Sequence, residues 1–383
     1  CFRIFIRRAV QSMKQKVMGD ICCLIQGNVP SDLTPKNWEH IIRVTRGASV
    51  LSRIAANYTS RFEVPLPDFV IEQFEAINRH AELFRQQVFF EARELNQHIN
   101  TCTSQPAIFL KGAAYILSEN VAGDGRIFSD IDILVKKDDL PDIEKRLQAF
   151  AWFPNAINDY DQKYYREWAH EIPPLVRAGR GTVVDIHHNL IPLISGKAPD
   201  ISLFLEQLQQ LDSGYYVLSA HAMTLHSIVH LFYQEEFIHG FRDMSDLHLL
   251  FSKNNDYPDF YANLLTLAQN TRFCRELFYA CRYLKSIFNT DIDENFLAKL
   301  SVFAPAKPKL IVMDWLFFRV LLPRHSLVNK EFTSTAHQVA FVRGHWLKMP
   351  FHILCLHTFN KIKFSVVHFF TGKTKAQDLP APK

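Results

Sequence analysis

From Ser129 to Ile133 polar and apolar residues alternate one by one, in the run Ser129-Asp130-Ile131-Asp132-Ile133. Successive side chains of a strand point to opposite faces, so Ile131 and Ile133 share the side that meets a core and Asp130 and Asp132 share the other. Like charges on one face repel, and a carboxylate shielded from water without a partner is strongly disfavoured. Something positive is therefore expected between them. A third carboxylate, Asp185, lies in a second strand-like run, 182–188, between the apolar Val184 and Ile186. If that strand pairs beside the first, Asp130, Asp132 and Asp185 form an oxygen-rich site suited to Mg²⁺ or Mn²⁺. Two such ions suit activation of a hydroxyl and neutralisation of a triphosphate in an in-line displacement.

Helical patterns surround this region. Thr34 followed by Pro35 is an N-cap with proline at the first helical position, and Trp38, Ile41, Ile42, Thr45, Ala48 and Leu51 then line one face. Val70, Phe74, Ile77, Ala81, Phe84, Val88, Ala92, Leu95 and Ile99 are spaced three or four apart, the period of a long helix. At Ala107 the texture changes. Ile108-Phe109-Leu110 leads into Lys111-Gly112-Ala113-Ala114, which reads as strand, tight turn and helix start, with Gly112 leaving room for backbone to approach a ligand. Gly123 and Gly125 mark the loop before the paired aspartates. Asp138, Asp139 and Pro141 open a further helix. The runs 171–176 and 182–188 flank Gly179 and Gly181 as a hairpin, and Pro173 and Pro174 suit an edge strand. From Pro199 onward the period is helical again, through Ile201, Leu205 and Leu208.

The expected fold class is α+β. A small mixed-sheet core at 106–198 is flanked by an N-terminal helical region at 1–105, a helical domain at 199–300 and a C-terminal helical, basic tail at 301–383. With 48% hydrophobic and 21% charged residues, the chain has enough apolar surface to exclude disorder. A net charge of +4 excludes the dense phosphate neutralisation of a dedicated nucleic-acid binder. Seven cysteines without a C-x-x-C pair suggest neither a disulfide framework nor a zinc ribbon and fit a cytoplasmic setting. Apolar runs are broken by His226 and His230, or by Asp314 and Arg319, short of the ~20 residues that cross a bilayer. Charge is uneven: from Arg319 onward ten basic residues face only Glu331 and Asp378.

The ordered motifs resemble the nucleotidyltransferase superfamily with the polymerase-beta-type fold, and more closely its uncharacterised bacterial nucleotidyltransferase family. The residues that carry the resemblance are Leu110-Lys111-Gly112-Ala113-Ala114; Arg126 with Asp130-Ile131-Asp132-Ile133-Leu134-Val135; His170 with Pro173-Pro174-Leu175; Asp185-Ile186-His187; and, downstream, Arg242-Asp243-Met244-Ser245-Asp246-Leu247. Two departures stand out. Ala113 follows Gly112 where the wider superfamily carries Gly-Ser or Gly-Gly, and Asp185 stands where the family commonly has Glu.

The resemblance implies a metal-dependent transfer of a nucleoside monophosphate from an NTP to a hydroxyl of a protein or small molecule. Asp130, Asp132 and Asp185 would be the catalytic and metal-binding residues, with Mg²⁺ or Mn²⁺ as cofactor. Lys111, Gly112, Ala113, Arg126 and His187 would contact the nucleotide. Arg126 has an alternative role, a salt bridge that orients Asp130. His187 and His170 are either near-site groups or core histidines. A catalytically degenerate accessory or antitoxin-like binding protein is the alternative function, supported by the missing serine after Gly112. A D-x-D glycosyltransferase fits less well, because a nucleotide-binding βαβ region should then precede the aspartates.

Three further features are expected to be structural. His226 and His230, one turn apart without an H-E-x-x-H pattern, belong to a polar helix face rather than a zinc site. Arg242 and Asp243 tie the helical domain to the core. The tail interleaves Trp346, Phe351, Phe359, Ile362 and Phe364 with Lys348, Lys361 and Lys363. It is either a helical pair packed on the domain with solvated lysines, the favoured reading, or a contact for a partner or for the inner face of an anionic membrane.

Overall fold

In the computed structural model, which describes residues 2–61, 65–155, 159–255, 257–356 and 358–359, four helices come first. They are α1 (Phe2–Ile25), α2 (Pro35–Gly47), α3 (Leu51–Arg61) and α4 (Asp68–Ile99). Thr34 opens α2 through a capping box: its hydroxyl accepts from the Asn37 backbone N–H at 3.3 Å, and its own N–H donates to Asn37 Oδ1 at 3.1 Å. Val70, Phe74, Val88, Ala92, Leu95 and Ile99 form the buried stripe of α4.

The α/β portion runs β1 (Ile108–Phe109), α5 (Lys111–Leu117), β2 (Asp130–Leu134), α6 (Leu140–Ala149), β3 (Trp152–Pro154), α7 (Asp159–Glu167), β4 (Leu175–Arg177), β5 (Val183–His187), α8 (Ser202–Leu205), β6 (Leu208–Gln210) and β7 (Tyr216–Leu218). The strands form one mixed sheet of order β3-β4-β5-β2-β1-β7-β6. β2 lies parallel to β5 and antiparallel to β1, which lies parallel to β7. The chain is thus α+β, with helices flanking a seven-stranded mixed sheet.

Two local expectations are corrected. The helical period assigned from Pro199 stops at α8, because Leu208–Gln210 and Tyr216–Leu218 pair as an antiparallel hairpin with Gly214 at φ +84° in its turn. Three-residue strands are too short to display a period, and β7 is selected by its place beside β1. The hairpin at 171–188 forms, but β4 is interior: β3 pairs outside it, with Pro154 opposite Leu175. Pro173 and Pro174 sit just before β4, where a missing N–H breaks no ladder bond, and the Pro174 carbonyl accepts from the Asn155 N–H at 3.1 Å.

The remaining helices are α9 (Ala220–Tyr233), α10 (Gly240–Asn254), α11 (Phe260–Asn270), α12 (Cys274–Phe288), α13 (Glu294–Leu300), α14 (Lys307–Val320) and α15 (Thr333–Lys348). α9 is buried on nearly every side by its neighbours. His226 is therefore buried and His230 half-buried, so the expected polar face of this helix is largely covered.

α14 and α15 pack together and α15 rests on α9. Gly344 makes the close approach possible, since a Cβ there would meet Glu235 Cα at 2.7 Å. Lys348 is not solvated: its Nζ lies 2.9 Å from Glu235 Oε1. Lys361, Ile362, Lys363 and Phe364 lie outside the described residues. Among those described, no helix is long and apolar enough to cross a membrane.

Candidate active site

The parallel register of β2 and β5 sets Asp132 directly across from Asp185 and Asp130 across from Val183. One carboxylate oxygen from each of Asp130, Asp132 and Asp185 falls within 4.8 Å of the other two. Asp132 is buried, whereas Asp130 and Asp185 are half-buried. Ile131 and Ile133 turn into the core as the alternation requires.

The three charges are handled unequally. Burial alone would raise the Asp132 carboxyl, but Lys111 and His187 outweigh it and hold this group well below the usual carboxylate range. Lys111 Nζ donates to Asp132 Oδ1 at 2.6 Å, and His187 Nε2 lies 2.9 Å from the same oxygen. The opposite happens at Asp185, where burial and then the negative charges of Glu171, Asp130 and Asp132 push the carboxyl well above its ordinary value. Its buried Oδ1 has no hydrogen-bond partner among the described residues. An orphaned buried oxygen beside two further carboxylates is the donor set that a hard divalent cation fits.

Lys111 reaches this point through its backbone. It takes φ +47° at the junction of β1 and α5, a left-handed conformation that costs a residue with a side chain roughly 1–2 kcal/mol. Behind His187, Nδ1 lies 3.2 Å from Glu171 Oε2, so Glu171, His187, Asp132 and Lys111 form a continuous polar chain. His170 is adjacent, its ring centroid 5.4 Å from that of His187. Burial and then the neighbouring His187 and Lys348 push its imidazole well below the usual histidine range.

α9 and α10 supply the facing wall of a cleft of about 320 Å³ bounded by Lys111, Asp130, Asp132, His230, Gln234 and Arg242. Buried ion pairs brace that wall. Arg126 Nε lies 3.0 Å from Asp246 Oδ2, and Arg53 Nη2 lies 2.7 Å from Asp246 Oδ1. Asp243 meets Arg126 at 3.5 Å and Arg242 at 3.1 Å. Burial would raise the Asp243 carboxyl, yet Arg242 and Arg126 hold it well below the ordinary range. Tyr115 and Ser227 join α5 to α9 through their hydroxyls, 2.6 Å apart.

Asp130, Asp132, Asp185, Lys111 and His187 are therefore brought together. Arg126 lines the cleft, but its guanidinium is bound to Asp246 and Asp243 and not to Asp130, which corrects the expected orienting salt bridge. Asp243 does tie the helices to the core. Ala113 is packed in the apolar core. Gly112 borders the cleft, but the space a Cβ would take is filled by the Phe128 ring, with Cδ1 at 2.5 Å. Its small size thus serves this aromatic contact. Glu171 and Arg53 escape sequence reasoning. Glu171 is the neighbour of His170 in the His-x-x-Pro-Pro-Leu run, the one available signal, and Arg53 lies in a helical pattern with nothing to distinguish it.

No curated protein and no solved structure matches the chain. A family profile described as uncharacterised nucleotidyltransferase matches residues 34–289, which takes in α2 through α12 and every residue named in the cleft and leaves α13 to α15 outside. With about two thirds of its length matched and its acidic strands within that span, the chain belongs to this nucleotidyltransferase family.

Proposed function

We propose that the protein transfers a nucleoside monophosphate from an NTP to an acceptor hydroxyl, with a divalent cation, Mg²⁺ or Mn²⁺, held by Asp130, Asp132 and Asp185. The observation that carries this reading is the convergence of the three carboxylates across β2 and β5, with the Asp185 Oδ1 left unpartnered. A bound ion there supplies charge neutralisation to the triphosphate and lowers the pKa of a hydroxyl that it contacts.

The chain's own residues do the rest. Lys111, half-buried at the cleft and kept protonated by Asp132 and Asp130 despite its burial, provides a fixed positive charge for a phosphate. His187 holds Asp132 in place through Nε2. Asp185 would complete the cation's shell and help to take the proton of the acceptor hydroxyl. Arg126, clamped by Asp243 and Asp246, keeps the helical wall at a fixed distance from the strands.

Radiolabel transfer from α-labelled NTPs onto the protein itself or onto cell extract tests the proposal. Metal-dependent label is expected for the native chain and none for Asp130→Asn with Asp132→Asn. If the double variant retains transfer, the assignment is wrong. NTP binding without transfer by the native chain indicates the degenerate accessory protein instead.

Exposed Ile311 and Val312 on α14 and Phe341, Val342 and Trp346 on α15, together with the excess of basic residues after Arg319, support contact of the C-terminal helices with an anionic membrane surface or a partner. Flotation with anionic liposomes tests this: truncation after Pro323 should abolish co-flotation.

A further inference from the structure

A second cluster of metal-ligating side chains lies behind the aspartates. His170, Glu171 and His187 each offer one ligand atom, and these atoms lie within 4.8 Å of one another. The hydrogen bonds determine which atoms are free. Asp132 Oδ1 accepts from Lys111 Nζ and lies 2.9 Å from His187 Nε2, so Nε2 is the nitrogen that donates to the carboxylate and Nδ1 is the one turned to Glu171. Nδ1 lies 3.2 Å from Glu171 Oε2. A nitrogen and a carboxylate oxygen so placed are joined by a proton or by a metal ion. His170, meanwhile, has a buried Nδ1 with no hydrogen-bond partner among the described residues.

The backbone beneath these side chains is already fixed. The His170 carbonyl accepts from the His188 N–H at 2.8 Å, and the Ile172 N–H donates to the Ile186 carbonyl at 3.1 Å. Pro173 and Pro174 follow at once and stiffen the segment. A histidine whose second ring nitrogen donates to a carboxylate is the usual arrangement behind a zinc ligand. Two imidazoles with one carboxylate select a late transition ion, whereas the three aspartates select a hard one.

We propose that His170, Glu171 and His187 form a second, nitrogen-rich cation site for Zn²⁺ or a similar transition ion, linked to the aspartate site by the His187–Asp132 hydrogen bond. A bound ion would fix the His187 ring, and through it Asp132, while pinning the 170–172 segment against β5. This proposal does not depend on nucleotidyl transfer.

Co²⁺ titration of the EDTA-stripped full chain tests it, because tetrahedral Co²⁺, the geometry expected of a nitrogen-rich site, gives intense visible bands and six-coordinate Co²⁺, the geometry expected of an all-oxygen site, gives weak ones. One equivalent is expected to develop these bands, and Zn²⁺ is expected to displace it. Asp132→Asn, which removes the carboxylate behind His187, should weaken Co²⁺ binding about 10- to 100-fold. His170→Ala and the near-isosteric Glu171→Gln should abolish the bands in protein that retains native circular dichroism, and Glu171→Gln alone decides the matter where His170→Ala unfolds. Asp130→Asn with Asp185→Asn should keep the bands. Absence of bands from the native chain overturns the site and leaves His187 as a protonated bridge between two carboxylates. Survival of the bands in folded Glu171→Gln, or their loss in the Asp130, Asp185 variant, overturns it equally.

Discussion

Asp132 and Asp185 stand opposite each other on parallel strands β2 and β5, and the fold treats their charges in opposite ways. Asp132 is neutralised within the protein by Lys111 and held by His187. Asp185 faces other carboxylates and keeps a buried oxygen without a partner. One of the pair is satisfied by the chain and the other is left facing like charges.

This asymmetry sets the sign of a stability experiment. The Asp185 carboxyl is raised, by burial first and by Glu171, Asp130 and Asp132 next, so its ionisation costs stability as pH rises from the ordinary value of 3.8 through the folded one. In metal-free protein at neutral pH, Asp185→Asn is expected to raise the melting temperature. Mg²⁺ at roughly 100 times its dissociation constant should stabilise the native chain by about 2.7 kcal/mol and leave the variant nearly unchanged. Scanning fluorimetry with and without Mg²⁺ reads both effects, and a fall in the metal-free melting temperature contradicts the argument.

Lys111 touches Asp132 at 2.6 Å and borders the cleft. Removing a preorganised charge that meets a reacting phosphate typically costs about 10²–10³-fold in rate. Lys111→Gln is expected to lower kcat/KM for α-labelled NTP by that amount, with KM for the acceptor unchanged. Equal activity would place the phosphates elsewhere.

Gly112 and Gly125 are small for different reasons, and their alanine variants separate them. At Gly112 a Cβ meets the Phe128 ring, a side chain that can be trimmed. Gly112→Ala should cost about 1–3 kcal/mol by overpacking, and Phe128→Leu should recover part of that loss. Gly125 has φ +62° and packs on the Ser52 carbonyl, so backbone must move. Gly125→Ala should cost more, with no rescue from side-chain truncation, as measured by urea denaturation.

The buried network of Arg126, Arg242 and Asp243 predicts the acid side of the stability curve. Asp243 is held below its ordinary value of 3.8 despite burial, through Arg242 and Arg126. Its contribution is fully present above that value and is lost only as pH falls from it towards the folded one. Asp243→Asn should therefore destabilise the protein by about 3 kcal/mol at neutral pH, and the gap from the native chain should narrow only below 3.8. A gap that closes at neutral pH would show that another group carries the effect.

Much of the site was legible from residue order. The alternation at 129–133 places Asp130 and Asp132 on one face, and the apolar run before Lys111 with the small residues after it marks strand and helix, although the positive φ of the turn falls on Lys111 and not on Gly112. The arrangement of Asp185, by contrast, depends on β5 lying parallel to β2, a pairing across some fifty residues that no local period encodes. The three-residue strands β3, β6 and β7 were illegible because a period needs more residues than they contain. Their pairing follows from the sheet edges left open by β4 and β1.

The partners of charged side chains were beyond the sequence for the same reason. Arg126 precedes Asp130 by four residues, yet it binds Asp243 and Asp246 from a helix more than a hundred residues away. By itself the sequence determined the helical flanks, the strand that carries two carboxylates and the family to which the chain belongs, because these rest on local period and ordered motifs. Only the tertiary structure decided which carboxylate is neutralised, which remains unpaired, and that Glu171 and His170 stand behind His187. Charge pairing depends on distance and burial, and those exist only once the strands and helices have packed.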